Sequence, residues 1–299
     1  PEWIWPSFEN NFTDDAIAEG KALAKRPPLD MRVNALKAKR ADITSGAKPT
    51  PLSPVGLRYP PIVGFGRHPD VQSTADYQRG KIEMQDEGSQ LASLLVAAQQ
   101  GDKVLDFCAG GGGKALALAG DMLNKGEIYA YDIDKRRLAP TWQRAERAGA
   151  TIIDVIAPPA DTLPALKGSM DRVLIDAPCT GIGTWRRKPD AKWRVTENAL
   201  ERRRKEQVTV LDEGSEFVRL GGFLFYVTCS MLAEENEGQV YAFLERNKKF
   251  TLLSAGEVFE ERFGVNGPKP WSEDGLTLTM TPASTGTDGF FFAVMERTQ

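Results

Sequence analysis

The sequence predicts an α/β protein in which a Rossmann-like, mostly parallel sheet with helices on both faces follows a small N-terminal α+β module. Three observations predict it. From Gly101 onward, short apolar strands alternate with helical runs. The residues with chemical character (Asp106–Gly113, Asp132, Asp176–Cys179, Thr228–Ser230) follow those strands, where open parallel sheets bind ligands. Residues 1–90 differ in texture, with Pro27-Pro28 and a proline- and glycine-rich stretch from Pro49 to Gly66. Two domains are therefore expected, over 1–90 and 91–299.

Along the chain, Asn11 to Lys25 predicts a helix capped by Thr13 ahead of Asp14 and Asp15, and Pro27-Pro28 ends it. Asp30 to Lys37 predicts a strand. Lys103–Phe107 is an apolar strand, followed by a glycine loop and a helix from Lys114 to Leu123. Glu127–Tyr131 is the next strand, with a helix from about Asp134 to Ala148 behind it. Thr151–Ile156 and Arg172–Ile175 predict further strands. Asn198 to Leu220 predicts a helix with Val208, Leu211 and Val218 on one stripe. Gly222–Thr228, a helix over Leu232–Arg246 and a last strand, Phe290–Met295, complete the pattern, without internal repeats.

At 299 residues and 41% hydrophobic content the chain can bury a full core. No apolar run approaches the ~18 residues of a membrane span. Pro1-Glu-Trp-Ile-Trp-Pro lacks the basic and apolar regions of a signal peptide, so a soluble, cytoplasmic protein is expected. Residue 1 is not Met, and further sequence upstream is expected. Three cysteines, Cys108, Cys179 and Cys229, with no CxxC, argue against a disulfide framework or a metal site. The single His68 argues against Cys–His or multi-histidine chemistry. Net charge is −3, yet nine Lys/Arg face three acids between Arg186 and Lys205, and seven face Asp30 alone between Lys21 and Arg40. Each run is ordinarily a solvated face; two of them, one beside a cysteine motif, point to a phosphate-binding surface.

Asp106-Phe-Cys-Ala-Gly110-Gly-Gly-Gly113-Lys114 is a strand–loop–helix turn whose glycines permit close backbone approach to a ligand. A Walker A loop is excluded because Ala115 stands where magnesium needs Ser or Thr. A dinucleotide fingerprint on Gly110-x-Gly112-x-x-Ala115 and a methyl-donor site both remain open. Asp132 is placed to chelate ribose hydroxyls in either case, or simply to precede a helix.

The two cysteine motifs narrow the choice. Asp176-Ala-Pro-Cys179-Thr-Gly-Ile-Gly183 and Tyr226-Val-Thr-Cys229-Ser230 each follow a strand. A buried cysteine is ordinarily a small hydrophobe. Two at strand ends suit methylation of cytosine at carbon 5, a poor nucleophile until a thiolate adds at carbon 6. That reaction needs a nucleophilic thiol, a hydrogen-bond partner at ring nitrogen 3 and help in elimination. The site should depress the thiol pKa, with Lys114 or an arginine of 186–194 as the expected cation.

These motifs resemble those of the RNA cytosine C5-methyltransferases, the group spanning bacterial RsmB (Sun, Fmu) and NOP2/NSUN enzymes, and are nearest to the bacterial 16S rRNA type. Further segments carry the likeness: Arg32-Val-Asn-Ala-Leu-Lys37, Gly80 to Gln90, Tyr131-Asp132-Ile-Asp134-Lys-Arg-Arg137, Arg186-Arg-Lys-Pro189-Asp190-Ala-Lys-Trp193, Glu234-Glu-Asn236 and Asp288-Gly-Phe290. The resemblance implies a class I SAM-dependent methyltransferase sheet behind an RNA-binding module, with S-adenosyl-L-methionine as cofactor. Cys229 would be the nucleophile and Cys179 would assist release of the methylated base; a DNA-methyltransferase-like attack by Cys179 is the alternative. Asp176 would contact cytosine or donor. Cys108, Ala109, Gly110, Gly111, Gly112, Gly113, Lys114 and Asp132 would hold the donor, with Arg137 supporting the acid. Arg186, Arg187, Lys188, Lys192, Arg32 and Lys37 are the expected RNA contacts, with bases stacking on Trp185 or Trp193. A metal-free monomer acting on 16S rRNA is expected; tRNA, or an inactive RNA-binding relative, are alternatives, with an NAD oxidoreductase more distant. The 16S type also carries an extra N-terminal helical domain, expected upstream of Pro1. Two departures stand out. The family's Ala-Pro-Gly-Gly-Lys-Thr is here Gly-Gly-Gly-Gly-Lys-Ala, which predicts a more mobile loop. Ile156-Ala157 stands where an acid near adenine is usual, with Asp154 or Asp161 as displaced substitutes.

Overall fold

The computed structural model describes residues 1–264 and 266–299. The chain opens with helices α1 (Trp5–Phe12) and α2 (Ala16–Ala24). The single helix predicted from Asn11 is broken because Thr13 adopts φ +46°, which closes α1 instead of capping a helix that continues to Lys25. Strands β1 (Leu29–Val33), β2 (Lys48–Pro49), β3 (Gly56–Tyr59) and β4 (Ile82–Met84), with the short helix α3 (Ala75–Gln78), form an antiparallel sheet of order β2-β3-β1-β4. Its core gathers Met31, Val33, Ile43, Leu57, Val71 and Ile82. Helix α4 (Glu87–Leu94) starts where the Asp86 carboxylate accepts the Gly88 N–H.

A parallel sheet comes next. Strand β5 (Lys103–Asp106) leads to α5 (Gly113–Asp121), and β6 (Glu127–Tyr131) to α6 (Lys135–Leu138) and α7 (Pro140–Ala148). Beyond these run β7 (Ile153–Ile156) and β8 (Met170–Asp176). The order β8-β5-β6-β7 is parallel throughout, with Leu105 opposite both Tyr129 and Val173. Pro140, which has no N–H to donate, divides the helix predicted over 134–148.

The remaining elements are α8 (Glu197–Ser215), β9 (Val218–Thr228), α9 (Glu237–Arg246), β10 (Phe250–Leu252), α10 (Ala255–Phe263), β11 (Leu278–Met280) and β12 (Phe290–Arg297). β12 pairs antiparallel with β9, β10 and β11. The helix predicted to reach Leu220 ends at Ser215, because Val218 already lies in β9 and its carbonyl accepts from Arg297. The helix predicted from Leu232 begins only at Glu237.

Packing divides the chain into Pro27–Leu174 and a second unit that joins Pro1–Arg26 to Ile175–Gln299. This differs from the boundary expected near residue 90. In the second unit Ile4, Phe8 and Ala16 share a core with Ile182, Trp185, Met231 and Leu232. In the first, the antiparallel sheet is tied to α7: Asn34 Nδ2 donates to the Ala148 carbonyl (2.7 Å), and Glu83 pairs with Arg144 and Arg147. The division falls inside β8. Among the described residues no helix is long and apolar enough to cross a membrane.

Candidate active site

In the unit Pro27–Leu174, β5 ends on the buried Asp106 and the chain turns through Phe107–Gly112 into α5. Gly110 and Gly112 adopt φ +50° and +76°, and a Cβ on Gly112 would lie 2.5 Å from Thr141 Cγ2. The turn is pinned at several points. Ala109 N–H donates to the Tyr131 carbonyl (2.9 Å), and Gly110 N–H donates to Asp132 Oδ2 (3.0 Å). Thr141 Oγ1 donates to the Gly110 carbonyl (3.2 Å), and Arg144, itself paired with Glu83, donates to the Gly111 carbonyl. This glycine-rich loop, expected to be mobile, therefore carries clamps on three consecutive residues, Ala109, Gly110 and Gly111. Asp132 is 2% exposed; its Oδ1 accepts Asp134 N–H (2.9 Å), and Arg137 Nη1 stands 3.6 Å from Oδ2. A buried acid beside a side-chain-free turn fits the ribose and amino-acid end of S-adenosylmethionine. Lys114 is buried in the first turn of α5, and Cys108 is half-buried. Ile156 is buried, whereas Asp154 and Asp161 are exposed.

In the other unit, β8 ends at Asp176, and the next residue, Ala177, donates its N–H to the Val227 carbonyl of β9 (2.8 Å). The two cysteine loops thus start side by side. They meet at the thiols: Cys179 Sγ lies 3.3 Å from Cys229 Sγ. Gly183 N–H donates to the Cys229 carbonyl (3.0 Å) and Gly289 N–H to the Gly183 carbonyl (2.9 Å). A Cβ on Gly183 would sit 2.3 Å from the Gly289 carbonyl oxygen, so this crossing needs two glycines. The Cys179 thiol is pushed well above its usual range by its hydrogen bond to Cys229, then by burial, then by the charges of Cys229 and Glu235.

Residues given no role from sequence complete this centre. Glu235 is fully buried, and its two oxygens accept from Thr180 N–H (2.8 Å), Thr180 Oγ1 (2.5 Å), Gln207 Nε2 (3.0 Å) and Ser230 Oγ (2.5 Å). Asn236 bridges the Cys229 turn, accepting from Thr228 Oγ1 (2.6 Å) and donating to the Ser230 carbonyl (3.2 Å). From α1, Ser7 donates to Glu234 (2.5 Å) and Asn11 to the Met231 carbonyl (3.0 Å). The available signal was the polar run Glu234-Glu-Asn236 placed where a helix was expected.

Four of the six expected RNA contacts are committed within the protein. Arg32 is 3% exposed, donates to Gln85 (2.6 Å), and burial lowers its pKa to about 10. Lys37 donates to the Arg79 and Arg147 carbonyls (3.0 and 2.6 Å). Arg186 and Arg187 both pair with the buried Asp288. Lys188 is exposed, and Lys192 lies over the ring of Trp193, 5.2 Å from its centroid. Trp193 is 71% exposed and Trp185 only 7%, so Trp193 alone of the pair offers a free face. On α8, Arg203 and Arg204 pair with Glu206 and Glu201.

A parallel sheet with a glycine turn after one strand and a buried acid after the next is a Rossmann-like arrangement, and solved methyltransferase structures share this fold. A methyltransferase homologue from Pyrococcus horikoshii aligns with a TM-score of 0.77 at 27% identity, covering 98% of this chain and 93% of that one. The structure of NSun6 from the same organism, solved with SFG, shares the fold with a TM-score of 0.85 at 21% identity, over 100% and 98% of the two chains. Residues 93–296 match the family of 16S rRNA methyltransferases RsmB/F, and the chain belongs to that family. The ribosomal RNA small subunit methyltransferase B of Enterobacter sp. (strain 638) is 30% identical over 298 residues, 98% of this chain and 65% of that protein. The chain thus spans just under two thirds of the length of such relatives.

Proposed function

We propose that the protein transfers a methyl group from S-adenosylmethionine to carbon 5 of a cytosine in RNA, the 16S rRNA of its family's name, through a covalent bond between Cys229 and carbon 6. The observation that supports this best is the thiol pair: two sulfurs 3.3 Å apart on adjoining loops, with Cys179 pushed up by its hydrogen bond to Cys229 and by burial. Cys229 is the proposed nucleophile, with Cys179 beside it as the thiol that assists release. Asp132 and the Ala109–Gly113 turn would hold the donor, which supplies an electrophilic methyl group. The target base must leave its stack to admit a thiol to carbon 6. Asp176, at the end of β8, is the proposed partner of ring nitrogen 3. A water molecule takes the proton from carbon 5, the freed electron pair closes the C5–C6 double bond, and the C6–S bond breaks to release Cys229 as a thiolate. The departing Cys229 thiolate then accepts the Cys179 S–H. Lys188, Lys192 and Trp193 are the outward groups suited to phosphate and base.

The test is incubation with transcribed small-subunit rRNA and methyl-labelled donor, resolved on a denaturing gel. Wild type labels RNA, Cys229→Ala is inactive, and Cys179→Ala accumulates a protein–RNA adduct. An adduct from Cys229→Ala instead would reverse the two roles. Labelling of tRNA but not rRNA would move the substrate, and donor binding without labelling of any RNA would leave an inactive relative.

A further inference from the structure

Every polar group on the Glu235 side chain is directed at the two cysteine loops or at the helix that backs them. Oε1 takes Thr180 N–H, from the residue after Cys179, and Gln207 Nε2. Oε2 takes the Thr180 and Ser230 hydroxyls, the latter from the residue after Cys229. Gln207 also donates to the Pro178 carbonyl (3.0 Å), and Tyr226 Oη holds the Glu235 carbonyl (2.7 Å). Four donors on two oxygens are the partners an ionised carboxylate takes. We propose that Glu235 is the positioning residue of the thiol pair, binding both cysteine loops through one buried carboxylate whose charge bears on Cys179.

The groups that bear on Cys179 are the Cys229 thiol at the end of β9, the Glu235 carboxylate ahead of α9, and the Gly181 amide, which donates toward the sulfur and acts in the opposite sense. A negative charge at Glu235 disfavours a second negative charge on Cys179. It thereby keeps Cys179 as an S–H donor to Cys229. The catalytic consequence rests on the reaction proposed above; the effect on the thiols does not.

The experiment is iodoacetamide alkylation of each cysteine, followed peptide by peptide by mass spectrometry across a pH series, without RNA or donor. Glu235→Gln keeps the shape, and the Thr180 and Ser230 hydroxyls can rotate to accept from the new amide. The expected result is a Cys179 midpoint lower by about one pH unit, restored toward wild type in Glu235→Asp. With RNA and donor, kcat falls about tenfold while KM for RNA stays within about twofold. An unchanged Cys179 profile in folded Glu235→Gln overturns the proposal, as does a loss confined to KM. Should that variant not fold, Gln207→Leu decides. It withdraws one donor from the carboxylate, so the charge acts more strongly and the Cys179 midpoint rises; no shift overturns the proposal. Because alkylation needs neither substrate, a wild type that labels no RNA counts against the proposed reaction alone.

Discussion

Asp132 shows how much one side chain carries here. Its carboxylate is buried, holds the Gly110 and Asp134 amides, and faces Arg137. A charged hydrogen bond contributes about 1.5–3 kcal/mol, so Asp132→Asn is expected to weaken donor binding roughly 10- to 100-fold. Isothermal titration with S-adenosylmethionine measures this, and a change under about twofold would remove Asp132 from the donor site. The residue was legible in the sequence because an acid directly after an apolar strand has few places to go. Arg186 and Arg187 were not: their partner Asp288 lies 102 and 101 residues away, and counting charges cannot locate it.

Among the elements, the β5–α5 turn depends on its glycines. Gly112→Ala forces a Cβ against Thr141 at a left-handed backbone position, which costs about 1–2 kcal/mol before any clash. The expected outcome is a lower urea midpoint and weaker donor binding together; unchanged stability would show that the turn relaxes freely. Helix α2 carries a pH signature. Glu19, 4% exposed, accepts from Thr281 and from Ala283 N–H, and burial raises its pKa above the ordinary 4.5. The folded state therefore prefers the protonated acid. That contribution is full below pH 4.5 and is lost as pH rises through the raised value. Glu19→Gln, which can keep both contacts, is expected to raise Tm at neutral pH and to match wild type in acid. Equal melting at every pH would refute it.

At the scale of the whole molecule, the N-terminal 26 residues pack with the cysteine loops. Deleting them strips Ile4 and Phe8 from the core shared with Trp185 and Met231. Burial of one such side chain stabilises by about 1.5–3 kcal/mol, so the loss is roughly 3–6 kcal/mol from these two alone. The deletion also removes the Ser7 and Asn11 bonds to the turn that carries Glu235. Denaturation of the truncated chain, with Cys229 alkylation as a local probe, is expected to show both lower stability and a looser thiol pair. Full stability after truncation would contradict this packing.

The sequence by itself determined the α/β class, the strand-end positions of Asp106, Asp132, Asp176, Cys179 and Cys229, and the glycine turn. These arise from alternation and local backbone chemistry, which act over a few residues. Only the tertiary structure decided that residues 1–26 pack with the second cysteine loop, that Arg32 is buried and that Arg186 pairs with Asp288. It also decided that Glu235, buried ahead of α9, binds both thiol loops. Those outcomes depend on which distant side chains meet, through hydrogen bonds and ion pairs that span tens to hundreds of residues.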